Sequence, residues 1–215
     1  MNELRITLIA DGSSDSTLLE IIKWLLNDKY PKLSIYSSFA DFSTLPDPPK
    51  LGDVAARIRC AQKYYPFDIL FYHRDAESTE TTMIATRKAE ILRSASDNDS
   101  IVCLVPVAMM EAWLLIDADA IKKAAGNRRY RGKVDIPSIK SIEGLSNPKA
   151  ILHELLKTVS ELKGRKLKNF NVHQAIHLVA HNIQDFSLLR QLIAFQEFEK
   201  DLDNAVTKNI YTQWN

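Results

Sequence analysis

The segment DILFYHRDAES, residues 68–78, contains the clearest strand pattern of the sequence. Its first five residues form a short apolar run with turn signals on both sides, which is typical of a buried strand. Similar runs occur at 5–10, 33–39 and 101–107, and they alternate with segments of helical spacing at 13–28, 51–64, 82–94 and 109–125. Strands that alternate with helices predict an α/β fold, a parallel sheet covered by helices on both faces.

The character of the sequence changes at Gly126, a natural helix C-cap. We therefore predict three parts: an α/β core at 1–126, a basic loop at 127–147, and a helical region at 148–215 that packs on the core. Within the last part, helical spacing is found at 148–162, 171–184 and 186–207. Trp113 and its apolar neighbours are predicted to lie in the core.

The amino-acid composition limits the classes of protein to which the chain can belong. The chain has 215 residues, 28 Lys and Arg against 27 Asp and Glu, and 46% hydrophobic residues. These values fit one globular domain and exclude disorder, a coiled-coil rod and a histone-like basic protein. The two cysteines, Cys60 and Cys103, lack CxxC spacing, which argues against a zinc ribbon and favours the reducing cytoplasm. The N-terminal apolar run is too short for a signal sequence or a membrane span.

Acidic residues follow three of the predicted strands. They are Asp11 and Asp15 after the first, Asp75 and Glu77 after the third, and Glu111 after the fourth. Because ligands bind outside the carboxyl ends of parallel strands, these carboxylates are expected to meet in one crevice. There they repel one another unless a cation lies between them, and an all-oxygen set suits Mg²⁺ or Mn²⁺. Such a site is what phosphodiester hydrolysis or nucleotidyl transfer requires.

Each of these acids also has an ordinary structural interpretation. Asp11 can fix a turn, and Asp15 can complement a helix dipole. Asp75 and Glu77 can form a solvated pair, and Glu111 can neutralise a helix start or an arginine. His73, beside Asp75, is a candidate proton donor to a leaving group or a structural partner of an acid.

Basic residues cluster outside the acidic stretches. The segment KKAAGNRRYRGK, residues 122–133, holds six basic residues and no acid, and 163–168 adds four more. Candidate substrate-binding residues are Arg74, Arg128, Arg129, Arg131 and Lys133. Such patches bind phosphate backbones, and Tyr130 could stack on a base, so nucleic acid is a candidate partner. The alternative is a solvated loop and helix end.

Three segments resemble the motifs of the TOPRIM-like superfamily, and more closely those of an uncharacterised bacterial family within it. The segments are DGSSD at 11–15, HRDAES at 73–78 and VPVAMMEAWLL at 105–115. The resemblance spans about 5–126 and extends weakly to AAGN at 124–127 and NPK at 147–149. TOPRIM domains serve in topoisomerases, primases and defence-associated nucleases. The resemblance therefore implies Mg²⁺-dependent making or breaking of phosphodiester bonds.

Carried over by position, the resemblance makes Asp11 the first acid, a general acid/base or metal ligand, with Asp15 as the second acid of that motif. The metal-binding DxD pair falls on Asp75 and Glu77, and Glu111 matches the glutamate of the E-A-W-L-L helix. The first acid is Asp where the superfamily has Glu, and the second DxD acid is Glu. An alternative register places His73 and Asp75 on the DxD positions.

Three functional hypotheses remain open from sequence. The first is a Mg²⁺- or Mn²⁺-dependent nuclease, with a role in bacterial defence against foreign DNA, in which Asp11, His73, Asp75, Glu77 and Glu111 are catalytic and Asp11, Asp15, Asp75 and Glu77 hold the metal. The second is a non-catalytic module that binds a nucleotide or a protein partner, such as a second copy of the chain or an operon-encoded protein. The third is a phosphatase for a small metabolite.

Overall fold

A parallel sheet forms the centre of the molecule. The computed structural model describes residues 2–80, 82–95 and 100–214. In these residues the sheet has four strands, β1 (Asn2–Ile9), β2 (Leu33–Phe39), β3 (Ile69–His73) and β4 (Ile101–Leu104). Their order is β2-β1-β3-β4, and every neighbouring pair is parallel. The predicted α/β class with a parallel sheet is confirmed.

Helices connect the strands and make up the rest of the described chain. They are α1 (Leu18–Lys29), α2 (Val54–Tyr64), α3 (Thr82–Arg93), α4 (Ala118–Ala124), α5 (Ile139–Ile142), α6 (Pro148–Ser160), α7 (Gly164–Lys168), α8 (Val172–Asn182) and α9 (Ile193–Trp214). Short 3-10 helices lie at Ser13–Thr17, Phe42–Thr44, Met110–Leu114 and Ser187–Gln191. None of the described helices is both long and apolar enough to cross a bilayer.

The two faces of the sheet are covered by different helices. The Phe71 ring packs edge-on against Phe198 of α9, with ring centroids 6.1 Å apart. The next residue, Tyr72, faces Arg57 of α2, whose guanidinium carbon lies 5.8 Å from the ring centroid. Successive side chains of a strand point to opposite faces. Helices α9 and α2 therefore lie on opposite faces of the sheet, as the α/β pattern predicts.

The C-terminal helix α9 completes the core on its face. Phe195 and Phe198 pack against Trp113, at centroid distances of 5.3 and 6.1 Å, and all three rings are buried. Burial of an aromatic ring of this size stabilises the fold by about 2 to 3 kcal/mol. Ion pairs then attach α9 to the neighbouring helices, from Lys29 of α1 and Lys88 of α3.

Of the predicted elements, one strand ends earlier than the apolar pattern indicates and one helix is divided in two. The strand predicted at 101–107 ends at Leu104, because Pro106 cannot donate a ladder hydrogen bond and Ala108 has a left-handed backbone (φ 57°). The helix predicted at 109–125 is divided into the 3-10 helix Met110–Leu114 and α4, and Asp117 caps the start of α4 by accepting from two backbone N–H groups. These interruptions shape the loops beside the sheet.

The strand order also fixes where a ligand crevice lies. The chain passes from β1 outward to β2, and then returns across β1 to β3 on its other side. Such a reversal leaves a crevice at the carboxyl ends of the two strands between which it occurs, here β1 and β3. The segments that follow these strands, 10–17 and 74–78, therefore carry the candidate site.

Candidate functional site

His73 is the last residue of β3 and is buried. Its Nδ1 lies 3.1 Å from the carbonyl oxygen of Leu104 in the neighbouring strand. Because a carbonyl only accepts, Nδ1 carries the hydrogen and the ring orientation is fixed. The other nitrogen, Nε2, is 3.5 Å from Asp75 Oδ1 and 3.8 Å from Asp15 Oδ2. The imidazole thus presents its second nitrogen to two carboxylates.

Asp15 reaches the histidine from the 3-10 helix that follows β1. Its Oδ2 accepts the backbone N–H of Gly12 at 2.8 Å, and its own N–H donates to the Gly12 carbonyl oxygen at 3.2 Å. Ser14 Oγ donates to Oδ1 at 3.3 Å. The turn DGSSD therefore aims Asp15 at β3.

Asp75 is the most perturbed carboxyl group of the site. Its Oδ1 accepts the N–H of Met110 at 2.9 Å. Burial, the largest cause, and the nearby carboxylates of Asp15 and Glu111 together raise the pKa of Asp75 to about 6, although His73 and the Met110 N–H act in the opposite direction. A carboxyl group with this pKa exchanges its proton near neutral pH, as a general acid or base must.

Glu111 extends the group toward the helical region. Its side chain is buried, and its Oε1 lies 3.4 Å from Nζ of Lys149 on α6. One turn further along α6, burial lowers the pKa of His153, and none of the described residues forms a hydrogen bond with its buried Nε2 atom. The structure thus brings together four residues that we call the acidic group. They are Asp15, His73, Asp75 and Glu111, with Lys149 at its edge.

Asp11 lies on the other face of the sheet. Its Oδ1 pairs with the buried guanidinium of Arg57 at 2.5 Å. The register explains this: β1 pairs Ile9 with Tyr72, so two residues further on Asp11 stands level with Arg74. In agreement, Asp11 is among the charges that raise the pKa of Tyr72, although burial is the largest cause. The structure does not join Asp11 to the acidic group.

Glu77 also lies apart from the acidic group. The predicted convergence of Asp75 and Glu77 requires an extended chain, but Glu77 has a left-handed backbone (φ 53°). Its side chain is 72% exposed and pairs with Arg87 at 3.2 Å. Arg74, a predicted substrate-binding residue, pairs with Glu90 at 3.0 Å. The loop after β3 therefore contributes only Asp75 to the acidic group.

The basic loop lies at the far end of α6 from Lys149. Asn127 donates to the Val159 carbonyl oxygen at 3.0 Å, which anchors the loop where α6 ends. Arg128, Arg129 and Arg131 are exposed, and Lys133 is exposed and paired with Asp135. In the described chain no ion pair engages those three arginines. Because α6 has 13 residues, the two sites are separated by about 20 Å.

Comparison with known proteins adds no family. No family model, curated protein or solved structure matches the chain. The resemblance to TOPRIM-like domains therefore rests on the three sequence motifs alone.

The acidic group offers carboxylate and imidazole donors to a divalent ion. Among the described residues, no three His, Cys, Asp or Glu side chains form a ready-made metal site. Neighbouring ligands of an octahedral ion with bonds of about 2.1 Å lie roughly 3 Å apart. His73 Nε2 is 3.5 Å from Asp75 Oδ1 and 3.8 Å from Asp15 Oδ2, so both distances are less than 1 Å longer than this spacing. A histidine whose Nδ1 donates to a backbone carbonyl is oriented as metal-binding histidines are. The chemistry of the set therefore fits Mg²⁺ or Mn²⁺.

Two residues of these sites were missed from sequence. Lys149 lies in the NPK segment, and the weak similarity of this segment to a motif was the only sign in the sequence of a functional role. The sign for Arg57 was clearer, because it lies on the apolar stripe of α2 formed by Val54, Ile58 and Ala61. A charged residue on a buried stripe requires a partner of opposite charge, which points to an acid on the sheet.

Proposed function

We propose that the protein is a divalent-metal-dependent phosphoesterase that acts on phosphodiester bonds, as in a nuclease. The observation that carries the proposal is the approach of His73 Nε2 to the carboxylates of Asp15 and Asp75 at the crevice between β1 and β3. In this proposal, Asp15, His73 and Asp75 hold Mn²⁺ or Mg²⁺, and the two carboxylates are the ligands that suit these ions. When bound, the ion polarises a phosphate oxygen and lowers the pKa of a bound water.

The chain's own residues supply the remaining chemistry. Before the ion binds, Asp75, with a pKa of about 6, exchanges a proton near neutral pH, and a bound cation would then favour its ionised form. Lys149, held beside Glu111, presents an ammonium group that binds a non-bridging phosphate oxygen. Glu111 neutralises Lys149 in the absence of substrate and keeps its side chain directed at the crevice.

Nucleic acid is the proposed substrate class. The exposed arginines at 128, 129 and 131 lie about one α6 length, roughly 20 Å, from Lys149. A nucleic-acid backbone long enough to reach both sites would place one phosphate at Lys149 and others at the arginines. Two free cysteines agree with a reducing compartment, and we place the activity in the cytoplasm, in defence against foreign DNA.

The test compares cleavage of single-stranded DNA, double-stranded DNA and RNA oligonucleotides by the wild-type protein and by Asp75→Asn. Reactions contain Mn²⁺, Mg²⁺ or EDTA. We expect metal-dependent cleavage that falls at least about 100-fold in the variant, because one ligand and one proton-exchanging group are removed together. Glu3→Gln, an exposed acid at the opposite end of β1, is the matched control and should cleave as the wild type does.

Metal binding is measured separately by calorimetric titration with Mn²⁺. The proposal requires heat of binding in the wild type and in Glu3→Gln, and weaker binding in Asp75→Asn and His73→Gln. Cleavage that is equal in Asp75→Asn and in wild type would overturn it.

One observation favours a second candidate, a non-catalytic module that binds a nucleotide or a partner. Asp11 and Glu77, two of the acids predicted for catalysis, are instead engaged by Arg57 and Arg87. The same titration separates the candidates, because a non-catalytic module gives no Mn²⁺-dependent heat and no change in melting temperature.

A further inference from the structure

A pocket of about 510 Å³ lies at the carboxyl ends of β1 and β2, on the Asp11 side of the crevice. This volume is within the range of small-ligand sites. Its walls are mostly apolar and come from the end of β2 and the proline-rich loop that follows. The apolar lining residues are Phe39, Ala40, Phe42, Pro48, Pro49 and Leu51. The polar side chains of the lining are Asp11, Asp41, Ser43 and Arg57.

The loop that forms this pocket is held in place by its own contacts. Asp41 accepts the N–H of Ser43 at 3.0 Å and its hydroxyl at 2.6 Å. Tyr65, the residue that follows α2, donates its hydroxyl to the Asp41 carbonyl oxygen at 2.6 Å and packs edge-on against Phe42. Arg57 binds the carbonyl oxygens of Ala10 and Leu51, which lie on two sides of the pocket. The pocket is therefore formed before any ligand arrives.

The charges of the polar lining favour a ligand that is not an anion and that carries N–H donors. Arg57 neutralises Asp11, and the carboxylate of Asp41 leaves the lining with a negative charge, which repels an anion. Only Oδ1 of Asp11 is used by Arg57, and within the described chain no hydrogen bond reaches Oδ2. Asp11 is 39% exposed at the pocket. An acceptor of this kind beside apolar walls fits a flat ring whose edge carries N–H groups.

The pocket adjoins the acidic group through one residue. Gly12 lines the pocket, and its N–H binds Oδ2 of Asp15. A ligand that fills the pocket therefore lies across a single turn of chain from the acidic group. A molecule with a flat, uncharged ring at one end and a phosphoester at the other would reach both sites.

We propose that this pocket binds a nucleobase, with Asp11 accepting hydrogen bonds from the base. Guanine fits best, because its ring N–H and its amino group are adjacent donors that one carboxylate accepts together. Uracil fits poorly, because two carbonyl oxygens flank its single N–H and face the carboxylate. As a statement about the substrate of the proposed phosphoesterase this inference rests on the proposed function, but the base-binding site does not require hydrolysis.

The test is calorimetric titration of the full-length protein with guanosine, inosine and uridine in EDTA. These nucleosides carry no phosphate, so failure of the proposed hydrolysis leaves the measurement unaffected. We expect guanosine to bind most tightly, inosine, which lacks the amino group, more weakly, and uridine at least about tenfold more weakly. Asp11→Asn should weaken guanosine about tenfold or more, because Arg57 takes the amide oxygen and the NH₂ group then faces the donors of the base.

A second variant keeps the test independent of the ion pair. Leu51 is 58% exposed, so Leu51→Ala is expected to fold normally and to weaken guanosine by about three- to tenfold through lost contact area. Leu188→Ala, an exposed leucine outside the pocket, is the matched control and should bind as the wild type does. No detectable guanosine binding, equal binding of guanosine and uridine, or unchanged binding in both Asp11→Asn and Leu51→Ala would each overturn the proposal.

Discussion

The surroundings of Asp75 determine which protonation state it prefers. The residue follows a buried strand, accepts a backbone N–H from Met110, and lies near the carboxylates of Asp15 and Glu111. Burial and like charge both favour its protonated form. The residue is therefore a source of instability in the ion-free protein whenever it is ionised.

This gives a prediction on stability against pH. Because the pKa of Asp75 is about 6 in the folded state and 3.8 as its ordinary value, the folded protein binds the proton more tightly than the unfolded one. The stability from this group is complete below pH 3.8 and is lost as the pH rises through 6. In EDTA at pH 7.5, Asp75→Asn should be more stable than the wild type, by at most about 3 kcal/mol.

Urea unfolding of the two proteins at pH 5 and 7.5 measures this difference. Asn keeps an acceptor for the Met110 N–H, so the substitution removes mainly the charge. If the difference in unfolding free energy between Asp75→Asn and the wild type does not grow from pH 5 to pH 7.5, the pKa of Asp75 is not raised in the folded protein. Glu3→Gln serves as the control for an acid whose removal leaves the acidic group intact.

At the scale of elements, the register of the sheet decides which acids can meet. His73 and Phe71 share one face of β3, and Asp15 reaches that face from the turn before α1. Asp11 stands on the opposite face, where α2 supplies Arg57. Asp11 and Asp15, two acids of the same turn after β1, therefore reach opposite faces of the sheet.

The role of Arg57 can be tested on its own helix. Arg57→Met removes the ion pair to Asp11 and the hydrogen bonds to Ala10 and Leu51 that hold α2 to the end of β1. We expect the free energy of unfolding to fall by about 2 to 4 kcal/mol. Arg59→Met changes an exposed arginine two positions away and should stay within about 0.5 kcal/mol. Equal losses in the two variants, measured by urea unfolding, would contradict the anchoring role.

Much of the element pattern could be predicted from sequence. The boundaries of β2 agree with the apolar run at 33–39, and β3 lies within one residue of its prediction. Helix α7 was missed because Gly164–Lys168 is short, strongly basic and without an apolar stripe. The breaks at Ala108 and Asp117 were missed because they depend on backbone conformation and capping inside an otherwise periodic segment.

The candidate site was only partly accessible from sequence. Strand ends place Asp15, Asp75 and Glu111 at one edge, and the structure gathers them around His73. The sequence spacing does not show where the side chains of Asp11 and Glu77 lie. The position of Asp11 depends on the register of the sheet, and that of Glu77 depends on its own left-handed backbone conformation in the loop. Both features are set by pairing partners distant in the chain.

At the scale of the whole molecule, α9 joins parts that are far apart in sequence. It contributes Phe195 and Phe198 to the core beside Trp113, and it forms ion pairs with α1 and α3. The helix is long but only weakly amphipathic, so its stability comes from these contacts. The C-terminal helical region and the sheet therefore share one hydrophobic core.

Shared packing predicts that α9 and the sheet unfold together. Phe198→Ala should lower the free energy of unfolding by about 3 to 5 kcal/mol, because the ring contacts both Trp113 and Phe71. Ile193→Ala, an exposed position on the same helix, should change it by less than about 0.5 kcal/mol. Circular dichroism and tryptophan fluorescence should report one coincident transition; two separate transitions would contradict a shared core.

The strand order also has a consequence for synthesis. The central strand β1 emerges first from the ribosome, but one of its edges pairs only when β3 arrives and Ile69 meets Ile6. Until then that edge is open, and closing so long a loop is slow because chain entropy must be lost before contacts form. The nascent chain should therefore depend on chaperones for longer than a protein of this size built from local hairpins.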